Sequence, residues 1–327
     1  MLGWWVVAKK GAHVPGDKVI YVEVDALLPE WPELEFLRKG CWRPAITTGT
    51  GEVLLRAGFR IKTIRLRGQV SQGLCLGIDH LPPGAPVDEG TDVTELLDIV
   101  KYEPPVPVGL GGRIRGPFPG FVPKTDETRV QVLEAVLARQ RGRTFHVTEK
   151  LDGTSFTAFL RAGEFGLCSR NLWLDETDHG NALCRIAAEL EVEPRLRALR
   201  EREGFDVAVQ AELIGPGIQG NRYALRRAAL RVFNVVDLDR GRLVDHARAR
   251  DLAGALGLET VPPLGELALD HDVDALVELA AGPSALNANT PREGLVLRPG
   301  RDEDDPDLGR LSFKVINPAF LLRYDDA

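Results

Sequence analysis

The hydrophobic pattern of residues 125–327 predicts a domain that contains both strands and helices. Short apolar or alternating runs are typical of strands, and they occur at 145–151, 154–161, 166–169, 207–214, 230–237, 294–298 and 311–315. Apolar residues spaced three or four apart indicate helices, and this spacing occurs at 125–141, 181–202, 247–256 and 273–281. Strands broken by helices in this way indicate an α+β fold.

Residues 1–102 show a pattern that is typical of a small β-barrel or sandwich. Their β-rich runs, at 18–24, 59–69 and 73–78, are separated by Gly and Pro turns. In the run 59–69, Arg65, Arg67 and Gln69 occupy alternate positions. Because alternate side chains of a strand share a face, we expect these three on one face.

The two patterns are separated by a segment rich in proline and glycine. Residues 103–123 hold six prolines and five glycines, a density that prevents regular helix and weakens strand pairing. We therefore predict a first domain at 1–102, a linker at 103–124 and a second domain at 125–327.

Charge favours a nucleic-acid partner only locally. The 327 residues carry a net charge of −7, which argues against indiscriminate phosphate binding. Residues 53–78 nevertheless contain no acidic residue. The basic side chains in this stretch that we predict to contact nucleic acid are Arg60, Lys62, Arg65 and Arg67.

The sequence predicts a cytoplasmic protein without a membrane partner. The apolar opening at 1–8 is too short to span a bilayer, and it is followed rather than preceded by Lys9 and Lys10. The four cysteines form no CxxC pair, which favours a reducing compartment over a disulfide framework or a zinc site.

One lysine motif carries the candidate chemistry. Glu149-Lys150-Leu151-Asp152-Gly153 lies between two predicted strands, where Asp-Gly is also typical of a plain hairpin turn. It matches the KxDG motif of the covalent nucleotidyltransferases, which comprise polynucleotide ligases and mRNA capping enzymes. The chain resembles this superfamily over 125–317, because further motifs follow in the family's order at 169–171, 210–219, 231–237, 292–298 and 312–314.

Within the superfamily, the chain resembles RNA ligases, because its third motif reads ELIGPGIQGN. Its N-terminal residues resemble the OB module of the Deinococcus-type RNA ligases. The resemblance implies an ATP-grasp-like nucleotidyltransferase domain of antiparallel sheets and helices, preceded by a small all-β OB-like domain. It also implies an ATP-dependent RNA ligase that acts, as a monomer, on nicked duplexes with RNA at the 3′-OH end.

The resemblance implies a three-step reaction. A lysine amine attacks the α-phosphate of ATP, the AMP passes to the 5′-phosphate at the nick, and the 3′-OH then expels AMP. We expect Lys150 to be this nucleophile. A free lysine is almost wholly protonated at pH 7, so the site must favour the neutral amine through burial or nearby positive charge.

The family's polar contacts map onto three further residues. Glu212 would bind the ribose hydroxyls, and Glu293 would hold the nucleophile or a divalent metal, either Mg²⁺ or Mn²⁺. Arg170 would contact phosphate, because a guanidinium can donate two parallel hydrogen bonds to an oxyanion.

The remaining contacts implied by the resemblance involve the base and a second cation. Phe233 would stack on the adenine, and Glu149 would offer its backbone to the same base. Lys314 would contact phosphate. It fills one of the two lysine positions of the family's last motif, and the sequence leaves open which one.

Two alternatives use other features of the sequence. Gly215, Gly217 and Gly220 spell GxGxxG after a predicted strand, with Asp237 about 20 residues on, as in an NAD-binding oxidoreductase. Against this, few residues remain for the crossover helix of a dinucleotide fold. The other alternative is a non-catalytic nucleic-acid-binding protein, against which the presence of Lys150 argues.

Overall fold

The structure, a computed structural model, describes residues 3–47, 51–103 and 112–324. The chain divides into two compact units, Met1–Pro105 with Leu321–Asp326, and Val106–Phe320. In the described residues, no helix is both long enough and apolar enough to cross a membrane.

The first unit consists mainly of short antiparallel strands. They are Val19–Val22, Ala26–Leu28, Trp42–Arg43, Ile46–Thr47, Val53–Leu55, Gly58–Arg60, Thr63–Leu66, Gln69–Gln72, Leu74–Gly77 and Val100–Lys101. Short helical turns lie at Pro32–Leu37, Arg38–Cys41 and Ile78–His80. The core is built around Leu28 and Phe59, both fully buried, so the unit has its own hydrophobic centre.

The prediction of one strand at 59–69 is wrong. The chain forms strands at Gly58–Arg60, Thr63–Leu66 and Gln69–Gln72, and the last two pair as a hairpin. Arg67 (φ 48°) and Gly68 (φ 87°) form its two-residue turn, and positive φ at both positions is what a type I′ turn requires. Arg65, Arg67 and Gln69 therefore do not alternate along one strand.

The second unit contains two main sheets. The large sheet runs in the order Ile114–Pro117, Leu172–Leu174, Glu164–Cys168, Thr154–Arg161, Val207–Ile214, Ala229–Asp237, Arg242–Leu243, and Glu259–Thr260 also pairs with Ala229–Asp237. The small sheet runs Thr128–Arg129, Phe313–Ile316, Gly294–Arg298, Thr144–Lys150, Pro263–Ala268. Most pairings are antiparallel, which confirms the predicted fold class.

Helices cover both sheets. They are Glu134–Arg139, Ala182–Glu189, Val192–Glu203, His246–Ala255 and Val273–Ala280, with shorter turns at Val130–Val132 and Gln219–Asn221. A small hairpin pairs Asp304–Asp305 with Gly309–Arg310, and a last helix, Pro318–Tyr324, begins in the second unit and ends among residues of the first. One core packs helices against the large sheet, around Phe156 and Leu196. A second, around Phe145 and Phe313, lies on the small sheet.

Two helix predictions need correction. The predicted helix at 125–141 is confined to Glu134–Arg139, because Thr128–Arg129 instead pairs with the small sheet. The predicted helix at 181–202 is two helices, broken where Glu191 adopts a left-handed conformation with φ 51°. Pro194 explains the break, because a proline inside a continuous helix clashes with the carbonyl four residues earlier.

The predicted linker at 103–124 contains a strand. Ile114–Pro117 pairs with Leu172–Leu174 at the edge of the large sheet, a position that tolerates proline. Phe118 and Val122 are buried against that sheet. Residues 114–122 are therefore part of the second unit, whereas 104–111 lie outside the described residues.

Candidate active site

A cavity of about 420 Å³ in the second unit is lined by strands of both sheets. Every residue expected from the lysine motif and its companions lies in its wall, namely Glu149, Lys150, Arg170, Glu212, Phe233, Glu293 and Lys314. These residues are spread over 166 positions of the sequence, from 149 to 314. The fold therefore assembles the predicted set in one place.

Lys150 lies in the small sheet next to Glu293. It ends the strand Thr144–Lys150 and pairs in register with Gly294. Glu293, the residue before Gly294, therefore lies close to the side chain of Lys150. Lys150 Nζ lies 2.5 Å from Glu293 Oε1, and both side chains are largely buried. A side chain at 294 would run into the carbonyl oxygen of Val315, so glycine is required for this register.

The loop after Lys150 is held from three sides. The Asp152 N–H donates to Tyr223 Oη at 2.7 Å, and the Asp152 carboxylate pairs with Arg222. A Cβ on Gly153 would meet Leu213 O, and it would lie only 2.9 Å from Glu212 Cγ. The glycine of the motif is therefore needed for close packing on the strand Val207–Ile214.

Burial shifts the titration of two charged groups in the cavity. It raises the pKa of Glu212 to about 8, and nearby Glu293 adds to the rise while Lys150 opposes it. Burial also lowers the pKa of Lys314 to about 8, with a further contribution from the positive charges of Lys150 and Arg129. Groups with strongly perturbed pKa values that converge on a cleft are typical of functional sites.

Phe233 faces the cavity because of an irregularity in its strand. Gln210 pairs with Asn234 and Ala211 with Val232, which leaves Phe233 as an extra residue. Such a β-bulge re-aims a side chain. Asn234 Nδ2 donates to Gln210 Oε1 at 2.7 Å in the buried interior, so the bulge is held by a side-chain bond.

Arg170 is exposed, and its side chain pairs with Asp126 at 2.5 Å. Asp126 and the adjacent Glu127 line the cavity. The sequence pattern predicted that both residues begin a helix and did not indicate that they belong to the site. Their acidic pair after the proline-rich segment was the only signal in the sequence.

The side chain of Glu149 lies away from Lys150. It is buried, and Glu149 Oε2 accepts from the Ala285 N–H at 2.7 Å. Burial raises the pKa of this carboxyl. The backbone N–H of Glu149 donates to Pro262 O at 2.9 Å, so this N–H is already used within the protein.

Glu293 is the candidate metal ligand. Its Oε2 atom is buried without a hydrogen-bond partner in the structure, and a carboxylate oxygen suits Mg²⁺ or Mn²⁺. The described residues contain no cluster of three or more His, Cys, Asp or Glu that could hold a metal ion. A metal here would depend on one or two carboxylates and substrate phosphates, as Mg²⁺ commonly does.

The predicted nucleic-acid residues of the first unit have different surroundings. Arg60 pairs with Asp25 at 2.7 Å and lies over the ring of Tyr102, and Lys62 is buried. Arg65, near the hairpin turn, and Arg67, within it, are both exposed. The last two are thus the more accessible to a phosphate backbone.

The GxGxxG alternative is wrong. The strand Val207–Ile214 that precedes the glycines pairs antiparallel with Ala229–Asp237, whereas a dinucleotide fold requires a parallel strand after a crossover helix. Gly215 lies where a Cβ would come within 2.8 Å of Ala228 Cα. Glycine at 215 therefore allows this segment to lie close to the residue that precedes the strand Ala229–Asp237.

The fold and the assembled motif residues are those of the covalent nucleotidyltransferase class. The RNA ligase family model matches residues 143–316, and an OB-fold domain model matches residues 1–78. Among the curated proteins, no match is significant.

Solved structures extend this likeness to nearly the whole chain. A Naegleria gruberi RNA ligase with PPi is 36% identical with a TM-score of 0.84, over 99% of this chain and 92% of that one. A lysine-to-alanine mutant of the same enzyme, with ATP and Mn, is 35% identical with a TM-score of 0.85, over the same shares of the two chains. The chain belongs to the RNA ligase family.

Proposed function

We propose that the protein is an ATP-dependent RNA ligase that seals 3′-OH/5′-phosphate nicks through an AMP carried on Lys150. The observation that carries the proposal is the 2.5 Å contact of Lys150 Nζ with Glu293 Oε1 in the cavity wall. Relatives solved with ATP and Mn and with AMP and Mn support the same nucleotide and a divalent metal here.

In the first step, Lys150 Nζ attacks the α-phosphorus of ATP. A nitrogen–phosphorus bond forms, the bond to the β-phosphate oxygen breaks, and pyrophosphate leaves. An ammonium paired with a carboxylate is not a nucleophile, so Lys150 must first lose a proton, and Glu293 Oε1 is within reach to accept it. Lys314 and Arg170 lie in the same wall and would balance phosphate charge.

A divalent metal at Glu293 would supply further positive charge to the phosphate. The rest of the cavity suits the nucleoside. Phe233 offers an aromatic face for the base, and Glu212 is a hydrogen-bonding partner for sugar hydroxyls.

In the second and third steps, the AMP moves to RNA. A 5′-phosphate oxygen of the RNA attacks the phosphorus of the lysine-bound AMP, and the bond between that phosphorus and Lys150 Nζ breaks. The 3′-OH then attacks the activated 5′-phosphate and expels AMP. In-line positioning and electrostatic stabilisation supply most of the acceleration in phosphoryl transfer.

The test of substrate offers nicked duplexes that differ only in the sugar at the 3′-OH terminus. We expect sealing with a ribose terminus and much slower sealing with a deoxyribose terminus. Equal sealing of both would contradict the RNA requirement. Protein that takes no label from α-labelled ATP would support the non-catalytic alternative instead.

We propose that the first unit binds the duplex through Arg65 and Arg67, which are exposed. Replacing both by Ala should weaken nick binding and reduce its salt dependence, because each phosphate contact releases counterions. Arg240→Ala, at an exposed arginine of the second unit, is the matched control. An unchanged salt dependence in the double variant would remove this role.

We also propose a monomer in the cytoplasm. The four cysteines form no CxxC pair, which favours a reducing compartment. Sedimentation at micromolar concentration tests the first point, since a dimer would contradict it. Fractionation of the source cells tests the second, and recovery outside the cytoplasmic fraction would contradict it.

A further inference from the structure

The geometry points to Arg298 as a positioning residue for the nucleotide base, acting through Phe233. The inference deepens the proposed function and rests on it, because Phe233 is there the surface on which the base stacks. Arg298 itself lines the cavity. It is the last residue of the motif at 292–298, in which the resemblance assigns a role only to Glu293.

Arg298 ties three segments of the second unit together. Its Nη1 donates to Phe233 O at 3.0 Å and also to the side chain of Asn234. Its Nη2 donates to Glu127 Oε1 at 2.7 Å, and its Nε donates to Ser312 Oγ at 3.0 Å. The guanidinium thus reaches the bulge, the segment before the small sheet and the turn into the strand Phe313–Ile316.

One side of Phe233 packs against a buried cluster that contains Leu151 and Val261. Besides the main cavity, two small cavities of about 30 and 40 Å³ have both Phe233 and Arg298 in their walls. Atoms that border a void lose the contacts that would fix them. The direction of the ring therefore depends on the bulged backbone as well as on this packing, and Arg298 bonds to the carbonyl of that backbone.

A lysine cannot replace this arrangement. The planar guanidinium presents several donors in a fixed fork, whereas an ammonium is a point charge on a flexible stem. Arg298→Lys keeps the positive charge but should lose the simultaneous bonds to Phe233 O, Asn234 and Glu127. Stacking of a base on an aromatic ring strengthens binding by roughly 5- to 150-fold, so a misplaced ring should cost about tenfold in ATP affinity.

The test measures equilibrium binding in a Lys150→Ala background, in which AMP transfer to the lysine is blocked. Dissociation constants for ATP and for inorganic tripolyphosphate, each with Mn²⁺, are compared for Arg298→Lys, Phe233→Ala and the double variant. We expect Arg298→Lys to weaken ATP about tenfold and tripolyphosphate less than twofold. In the double variant, we expect no loss beyond that of Phe233→Ala, since residues that act as a unit are not additive.

Two results would overturn the inference. Equal weakening of ATP and tripolyphosphate would show that Arg298 acts on the phosphates, and multiplicative losses in the double variant would show that it does not act through Phe233. Should Arg298→Lys fail to fold, Arg298→Gln replaces it with the same expectations. A Lys150→Ala parent that binds tripolyphosphate but not ATP would instead overturn the proposed function itself.

Discussion

The Gly153→Ala substitution tests how the lysine loop is held against the large sheet. Gly153 has no left-handed backbone, so alanine is tolerated by the local conformation. Its Cβ, however, would run into Leu213 O and lie 2.8 Å from Ile214 Cγ2 and 2.9 Å from Glu212 Cγ. Because a backbone carbonyl cannot rotate away, the loop must move off the strand.

Overpacking of this kind costs about 1–3 kcal/mol. In a unit of roughly 200 residues, each kcal/mol lowers Tm by about 2–4 °C, so we expect a fall of about 2–12 °C. Labelling by α-labelled ATP should slow by at least tenfold, since a displacement of about 1 Å at the nucleophile is costly.

Gly254→Ala is the matched control, because Gly254 lies in the helix His246–Ala255 with nothing within 4 Å of a Cβ. Alanine is favoured over glycine in helices, so this variant should melt no lower than the wild type. Tm is read by thermal unfolding and labelling by gel. A Gly153→Ala protein with unchanged Tm and unchanged labelling would refute the packing argument.

Three further predictions concern residues around Lys150. Glu293→Gln should keep the fold but slow labelling about 100-fold, which is the usual effect of losing an acid–base group. Labelling is measured in a single-turnover assay, and a wild-type rate would exclude a role for Glu293 as the proton acceptor. Burial raises the pKa of Glu212 to about 8, so the stability that its neutral carboxyl contributes is fully present below its unfolded pKa and is lost as pH rises toward 8. Glutamine stays neutral at every pH, so Glu212→Gln should raise Tm more at pH 8 than at pH 5. Equal gains in Tm at both pH values would contradict this. Tyr223→Phe leaves the Asp152 N–H without its acceptor, which should lower the free energy of unfolding by about 1–3 kcal/mol. Urea denaturation measures this change, and a loss below about 0.5 kcal/mol would refute the importance of the Asp152–Tyr223 hydrogen bond.

Local pattern predicted the strands of the site well. The strands at 154–161, 207–214 and 294–298 have the predicted bounds, because each is a continuous run bounded by turn residues. Motif order predicted which side chains converge. The α+β class and the mainly β first unit follow from the same periodicity.

Long-range partners could not be predicted from local pattern. The bulge at Phe233 depends on Asn234 meeting Gln210, and Arg298 resembles an ordinary solvated arginine until Glu127 is brought beside it. Arg60, which we expect to contact nucleic acid, pairs with Asp25, which is far away in sequence. In each case the deciding contact joins segments that only the tertiary fold brings together.

The central claim is that the amine of Lys150 carries AMP. Wild-type protein is incubated with ATP and Mn²⁺, digested, and analysed by mass spectrometry. The account predicts one added AMP, acid-labile, on the peptide that contains Lys150, and none on any peptide of a Lys150→Ala protein. An AMP attached to another residue, or one still formed in Lys150→Ala, would contradict it.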